Sequence, residues 1–241
     1  MINKNFEEIK DDICFRLINS AANKEMLENL SHVEVFDLST IFYYKTGEGF
    51  KEGATVDITN DDMRGWGISV EELEQLARGN TARLLPPEFM TIEQVISDIA
   101  TEESLPSPME GQPKEKMYVL TNEEKYFGAN YFLSAEVMEK VGEELGVDFF
   151  IIPSSIHENI IMPEGANVTA DNLRSLVADM NETFLEPEEV LSNEVYRYDR
   201  KTKELQMTDA SERKIDMGSN ASKQAEEKIA DKTHSVEAKR R

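Results

Sequence analysis

Two serines, a histidine and a glutamate crowd into one short stretch: Ser154, Ser155, His157 and Glu158, inside the apolar segment FFIIPSSIHENIIMP at 149–163. Those residue types could perform acyl-transfer chemistry. One serine would act as nucleophile, His157 as its base, and an acid would orient the imidazole. Against this, neighbours on one short turn rarely aim at a common point, and no G-x-S-x-G elbow is present. Ser, His and Glu are also residues that satisfy the backbone groups of a turn. The four are therefore read as candidate catalytic residues with a structural alternative beside them.

Other chemistries find less support. His157-Glu158 begins like H-E-x-x-H, but residue 161 is isoleucine and the segment is strand-like, so the helical zinc motif is excluded. One cysteine and three histidines scattered along the chain make no Cys/His zinc set. Asn60, Asp61 and Asp62 lack the spacing of a calcium loop and read as a helix cap. Gly47, Gly49 and Gly53 are followed by no Gly-Lys-Ser/Thr, and no dinucleotide fingerprint follows a strand. No metal and no cofactor is expected. Trp66, the lone tryptophan, reads as an anchor packing against the beginning of the next helix. Cys14 reads as a core thiol on a helix whose apolar face is Phe6, Ile9, Ile13 and Leu17.

The elements that must hold these residues follow from periodicity and caps. Residues 5–30 read as helix, broken near 19–23. HVEVFDLSTIFYYK at 32–45 reads as two short strands, and 54–58 as a third. Ser69 with Glu72, and Thr91 with Gln94, are capping boxes that open two helices. Gly79-Asn80 is expected to stop the first of these, and the second is expected to run to about residue 100. MYVLT at 117–121 is a strand, NYFL at 130–133 a short one. Ser134 caps a helix ended by Gly146; 147–153 and 158–163 are strands. Thr169 caps a helix whose stripe is Leu173, Leu176, Val177 and Met180, with Leu176 and Phe150 expected in the core. Residues 194–207 read as a hairpin about 200–202.

This order argues an α+β fold: a largely antiparallel sheet with amphipathic helices on one face. Four regions are expected. Residues 1–101 form a helical and short-strand region, and 117–208 an α+β core. The Pro-rich stretch 102–116 is either a linker between two lobes or a decorated loop within one sheet. Residues 209–241, almost free of large apolar side chains, read as a disordered tail.

Charge narrows the partners. The chain carries 26 basic and 48 acidic residues, net −22. The tail is close to neutral, with 8 basic and 7 acidic residues, so the acidity belongs to residues 1–208. An acidic body repels phosphate backbones, which argues against nucleic acid. The charged N-terminal segment has no apolar core of a signal peptide, and no run approaches the ~18 apolar residues of a membrane span. A single cysteine fits a reducing compartment. A cytoplasmic location without membrane contact is expected.

Three blocks carry a family likeness: WGISVEELEQLARGNTARLLPP (66–87), KYFGANYFLSAEVMEKVGEELGVDFFIIPSSIHE (125–158) and LRSLVADMNETFLEPEEVLSNEVYRYDRKTKEL (173–205). In that order they resemble an uncharacterised bacterial family, a domain of unknown function found mainly in Firmicutes. The likeness spans most of residues 1–207. It implies a bacterial, intracellular, single-module protein and supplies no reaction, ligand or catalytic residue. Absent catalytic sets beside a good core pattern favour a non-enzymatic domain that binds another protein. The alternative is a hydrolase working from the 154–158 turn.

Overall fold

In a computed structural model, residues 5–47, 53–102, 116–165, 169–209 and 213–218 are described. Eleven strands are present among them: β1 (Ile13–Asn19), β2 (His32–Val35), β3 (Leu38–Thr46), β4 (Ala54–Asp57), β5 (Pro87–Thr91), β6 (Tyr118–Asn122), β7 (Phe149–Ile152), β8 (Asn159–Pro163), β9 (Tyr196–Asp199), β10 (Glu204–Met207) and β11 (Lys214–Asp216). The α-helices are α1 (Phe6–Ile9), α2 (Lys24–Leu27), α3 (Asn60–Trp66), α4 (Val70–Leu84), α5 (Ile92–Glu102), α6 (Ala135–Leu145) and α7 (Ala170–Phe184).

Every strand pairing is antiparallel, as an α+β chain with short connections favours. The first sheet centres on β3. β1 lies along one edge of it, while β2 and β4 share the other, at 38–41 and 43–46. The second sheet has the order β11-β10-β9-β7-β8-β6-β5. It therefore takes β5 from the region expected at 1–101 and joins it to β6 across the stretch 102–116. Strands β5 and β6, which flank that stretch in sequence, pair within one sheet.

Strand alternation sends successive side chains to opposite faces, and both faces of the second sheet are covered. Phe149 and Ile151 pack with Val137, Met138 and Val141 of α6, and with Leu17 and Leu38 of the first sheet. Phe150 and Ile152 pack on the other side with Leu173 and Val177 of α7. The helices thus lie on two faces of this sheet, where one face was expected. Leu176 is a second correction: it is 48% exposed, because Leu173 and Val177 already fill the inward arc of α7. Phe150 is buried as expected.

Residues 13–19 form β1, where a helix was expected. Phe6, Ile9, Ile13 and Leu17 match helical spacing by coincidence. Ile13, Cys14, Phe15, Leu17 and Ile18 are all buried, and a two-sided buried run suits a strand. The outer edge of β1 is closed by side chains. Asn80 Nδ2 donates to the Ile13 carbonyl (2.9 Å), Thr81 Oγ1 accepts from Phe15 N–H (3.2 Å), and Asn130 Nδ2 donates to the Phe15 carbonyl (2.9 Å). A bare strand edge invites pairing with other chains, and these contacts prevent it.

That role explains why α4 runs past Gly79-Asn80 to Leu84: Asn80 faces inward and also donates to the Lys10 carbonyl. Residues 128–133 form a 3-10 helix, where a strand was expected at 130–133. Ala129, Asn130, Tyr131 and Phe132 are all buried in sequence, which a half-buried strand cannot achieve. Finally, Ile215 and the buried Met217 draw β11 onto β10, so ordered chain continues into the expected tail. Residues 219–241 lie outside the described residues.

Candidate functional site

The segment 153–158 is the turn between β7 and β8, and both its serine hydroxyls bond main chain. Ser154 Oγ donates to the Glu158 carbonyl (3.2 Å), and Ser155 Oγ accepts from His157 N–H (3.0 Å). Thr121 Oγ1 of β6 donates to the His157 carbonyl (2.9 Å). Ile156 N–H reaches the Glu189 carbonyl (3.1 Å). These are the side-chain and cross-loop bonds that fix a turn.

The imidazole of His157 points at the loop 123–128. Its Nδ1 accepts from Phe127 N–H at 3.1 Å. In the neutral ring, the proton therefore sits on Nε2. A histidine base in a hydrolytic triad needs the reverse: an acid holding one nitrogen protonated and a lone pair free for the nucleophile. Among the described residues, no hydrogen bond joins the His157 ring to either serine hydroxyl. Burial holds the imidazole pKa below its ordinary value, and the Glu189 carboxylate opposes that shift. Burial likewise pushes the Glu158 carboxyl up, against the pull of Lys125.

The receiving loop is built for this contact. Asn122 Nδ2 donates to the Tyr126 carbonyl (2.8 Å), and its Oδ1 accepts from Tyr126 N–H (3.2 Å). The loop closes through left-handed backbone at Lys125 (φ 51°) and Phe127 (φ 55°). Gly128 is required by proximity. A Cβ there would lie 2.5 Å from Thr121 Oγ1, 2.8 Å from the His157 carbonyl oxygen and 2.9 Å from Asn122 N. The Phe127 ring is parallel to His157, with centroids 5.5 Å apart. It also receives the Arg16 guanidinium at 4.7 Å, and Arg16 is paired with Asp57 at 3.0 Å. The turn is thus the end of a stacked series running from β1 to β8. Arg16, Asp57, Thr121, Tyr126 and Phe127 could not be linked to it by sequence spacing, because they are distant along the chain.

The remaining candidates are structural. Asp62 completes a capping box with Thr59 at the start of α3, beside Asn60 and Asp61. Trp66 packs against Phe6 (centroids 5.5 Å) and the cluster that includes Ile68 and Val70. Cys14 is buried in β1, and burial raises its thiol pKa to about 11, which keeps it protonated and unreactive at neutral pH. Among the described residues, no group of three or more His, Cys, Asp or Glu could hold a metal ion. Nor is any helix among them long and apolar enough to cross a membrane.

A different feature stands out on the surface. Helix α5 opens with the Thr91–Gln94 capping box: Gln94 N–H donates to Thr91 Oγ1 (3.2 Å), and Gln94 Oε1 accepts from Thr91 N–H (2.8 Å). Its Ile92, Val95, Ile96 and Ile99 fall at i, i+3, i+4 and i+7. None of its described side chains is buried. Ile96 is 41% exposed and Ile99 45%. The spacing is legible in the sequence; the exposure is not.

The profile of a family of unknown function, DUF5688, matches residues 2–200. The chain belongs to this family. The match covers the first sheet and most of the second, through β9. No curated protein and no solved structure matches the chain.

Proposed function

We propose that this DUF5688 chain is a non-enzymatic protein-interaction domain and that α5 is its contact surface. The observation that carries the reading is the exposed α5 stripe. Ile96 and Ile99 stand exposed on a helix opened by a capping box, beside the half-buried Ile92 and Val95. Soluble chains seldom keep such a face unless another molecule covers it. A helix presenting i, i+3, i+4 and i+7 anchors is a common element of helical recognition.

The hydrolase reading rests on the adjacency of Ser154, Ser155, His157 and Glu158. The Phe127–His157 hydrogen bond weighs against it, because the Nδ1 lone pair is occupied and Nε2 carries the proton.

The test is a pair of charge-neutral comparisons on the full chain. Ile96→Gln/Ile99→Gln is expected to lose the proteins that co-purify with wild type, while Ser154→Ala/Ser155→Ala retains them. Labelling of Ser154 or Ser155 by a serine-reactive fluorophosphonate in wild type, but not in His157→Gln, would reverse the assignment in favour of the hydrolase.

A further inference from the structure

The chemistry around the α5 stripe restricts its partner, and this step rests on the interaction reading above. On a helical projection the apolar arc runs through Val95, Ile99, Ile92 and Ile96. Glu93 borders it on one side and Asp98 on the other, both exposed. The helix carries no lysine or arginine. Lys116 neighbours in sequence Met117, whose carbonyl accepts from Ile92 N–H (3.0 Å) at the start of the helix.

We infer that α5 docks a basic amphipathic helix of another protein, whose apolar face meets Ile92, Val95, Ile96 and Ile99 and whose lysines or arginines meet Glu93 and Asp98. Three observations converge on this occupant. Four anchors over two turns span about 10 Å, the length over which a facing helix packs ridge into groove. The flanking charge has one sign, so a partner of opposite sign gains attraction at both borders. The chain as a whole carries net −22, which steers a cationic partner toward it and repels an anionic one. A second copy of the chain is disfavoured by the same charges. A two-fold contact through α5 would set the carboxylates of one helix against those of the other.

The experiment titrates the full chain against fluorescent amphipathic peptides of about 15 residues, long enough to form a helix on contact. One is built from Leu and Lys, one has the same composition in scrambled order, and one is the Leu/Glu counterpart. The Leu/Lys helix is expected to bind at least about tenfold more tightly than its scramble, a difference of about 1.4 kcal/mol. Ile96→Gln/Ile99→Gln should erase that advantage. Glu93→Lys/Asp98→Lys should transfer it to the Leu/Glu peptide. Circular dichroism of each variant should be unchanged, because the altered side chains are exposed.

Equal binding of the Leu/Lys peptide and its scramble would overturn the inference. Tighter binding of the Leu/Glu peptide, still lost in Ile96→Gln/Ile99→Gln, would overturn the basic partner and leave α5 as a docking face. Peptide binding indifferent to Ile96→Gln/Ile99→Gln would remove α5 from both readings. Self-association of the free chain, abolished by the same variant, would replace the basic partner with a second copy.

Discussion

Phe127 N–H donates to His157 Nδ1, and the two rings lie parallel. The bond exists only while the imidazole is neutral, since a protonated Nδ1 would face the amide as a second donor. The folded-state pKa of His157 is lowered by burial, from an ordinary value of 6.5. Its contribution to stability is therefore complete above that value and is lost as pH falls below it, because the unfolded chain takes up the proton first. The half-buried Glu158 and Glu194 carboxyls, both raised, act in the opposite sense: their contribution is present at low pH and lost as pH rises through their folded values. The imidazole is isolated by comparison with His157→Gln. Urea midpoints of wild type and variant, measured from pH 8 to pH 5, should converge as the pH drops below 6.5. A constant difference across that range would show that His157 does not titrate with folding.

The orientation of α7 gives a paired test. Leu173 is buried against Phe150, Ile152 and Met162, while Leu176, three residues on, is exposed. Leu173→Ala should cost about 2–5 kcal/mol of unfolding free energy, the range for a cavity in a packed core. Leu176→Ala should change it by about 0.5 kcal/mol or less. Chemical denaturation of the two variants checks this, and reversed magnitudes would mean that the helix is rotated.

Closure of the β1 edge should be visible in stability. Asn130 reaches across the molecule to the Phe15 carbonyl, and both groups are buried. Asn130→Ala leaves that carbonyl without its donor, at a cost of about 1–3 kcal/mol. Hydrogen exchange of amides in 13–19 should accelerate in the variant, and unchanged exchange would count against the edge contact.

Cys14 should be silent toward thiol reagents in the folded chain and react on unfolding. Its burial, and a thiol pKa raised to about 11, leave little thiolate at neutral pH. A dithionitrobenzoate assay with and without urea checks this. Rapid native modification would place Cys14 at the surface.

Gly128→Ala should destabilise through backbone collision. The new Cβ meets the His157 carbonyl oxygen and the Asn122 nitrogen, neither of which can swing aside as a side chain does. Overpacking of this kind costs about 1–3 kcal/mol. A thermal melt reports it, and a variant as stable as wild type would show that the two loops are further apart.

What could be read from the sequence was what neighbouring residues decide among themselves. The capping boxes at Ser69–Glu72 and Thr91–Gln94, the Ser134 and Thr169 caps and the Gly146 stop are local arrangements, and each is present. So is the hairpin of β9 and β10, which turns through Lys203 in a left-handed conformation. What escaped is set by distant partners. β1 becomes a strand because β3 pairs with it and α4 covers it, and Asn80 stays helical because its amide serves β1. Leu176 has the same local pattern as Leu173, so which of them faces the sheet depends on where α7 is laid down. The four polar residues of the 154–158 turn were visible in sequence. Their partners were not: Thr121 and Phe127 lie 36 and 30 residues from His157 along the chain.

Asp37, at the tip of the β2–β3 hairpin, accepts hydrogen bonds from Ser192 Oγ at 2.6 Å and from the buried hydroxyl of Tyr196. Tyr196 is made 159 residues after Asp37. At roughly 5–20 residues per second, a ribosome takes about 8–30 s to cover that interval. The first sheet emerges with a carboxylate, and with the Phe15 carbonyl, waiting for donors that the ribosome has yet to supply. The amino-terminal half therefore leaves the ribosome before the residues that complete its hydrogen bonds, Asn130, Ser192 and Tyr196, have been added.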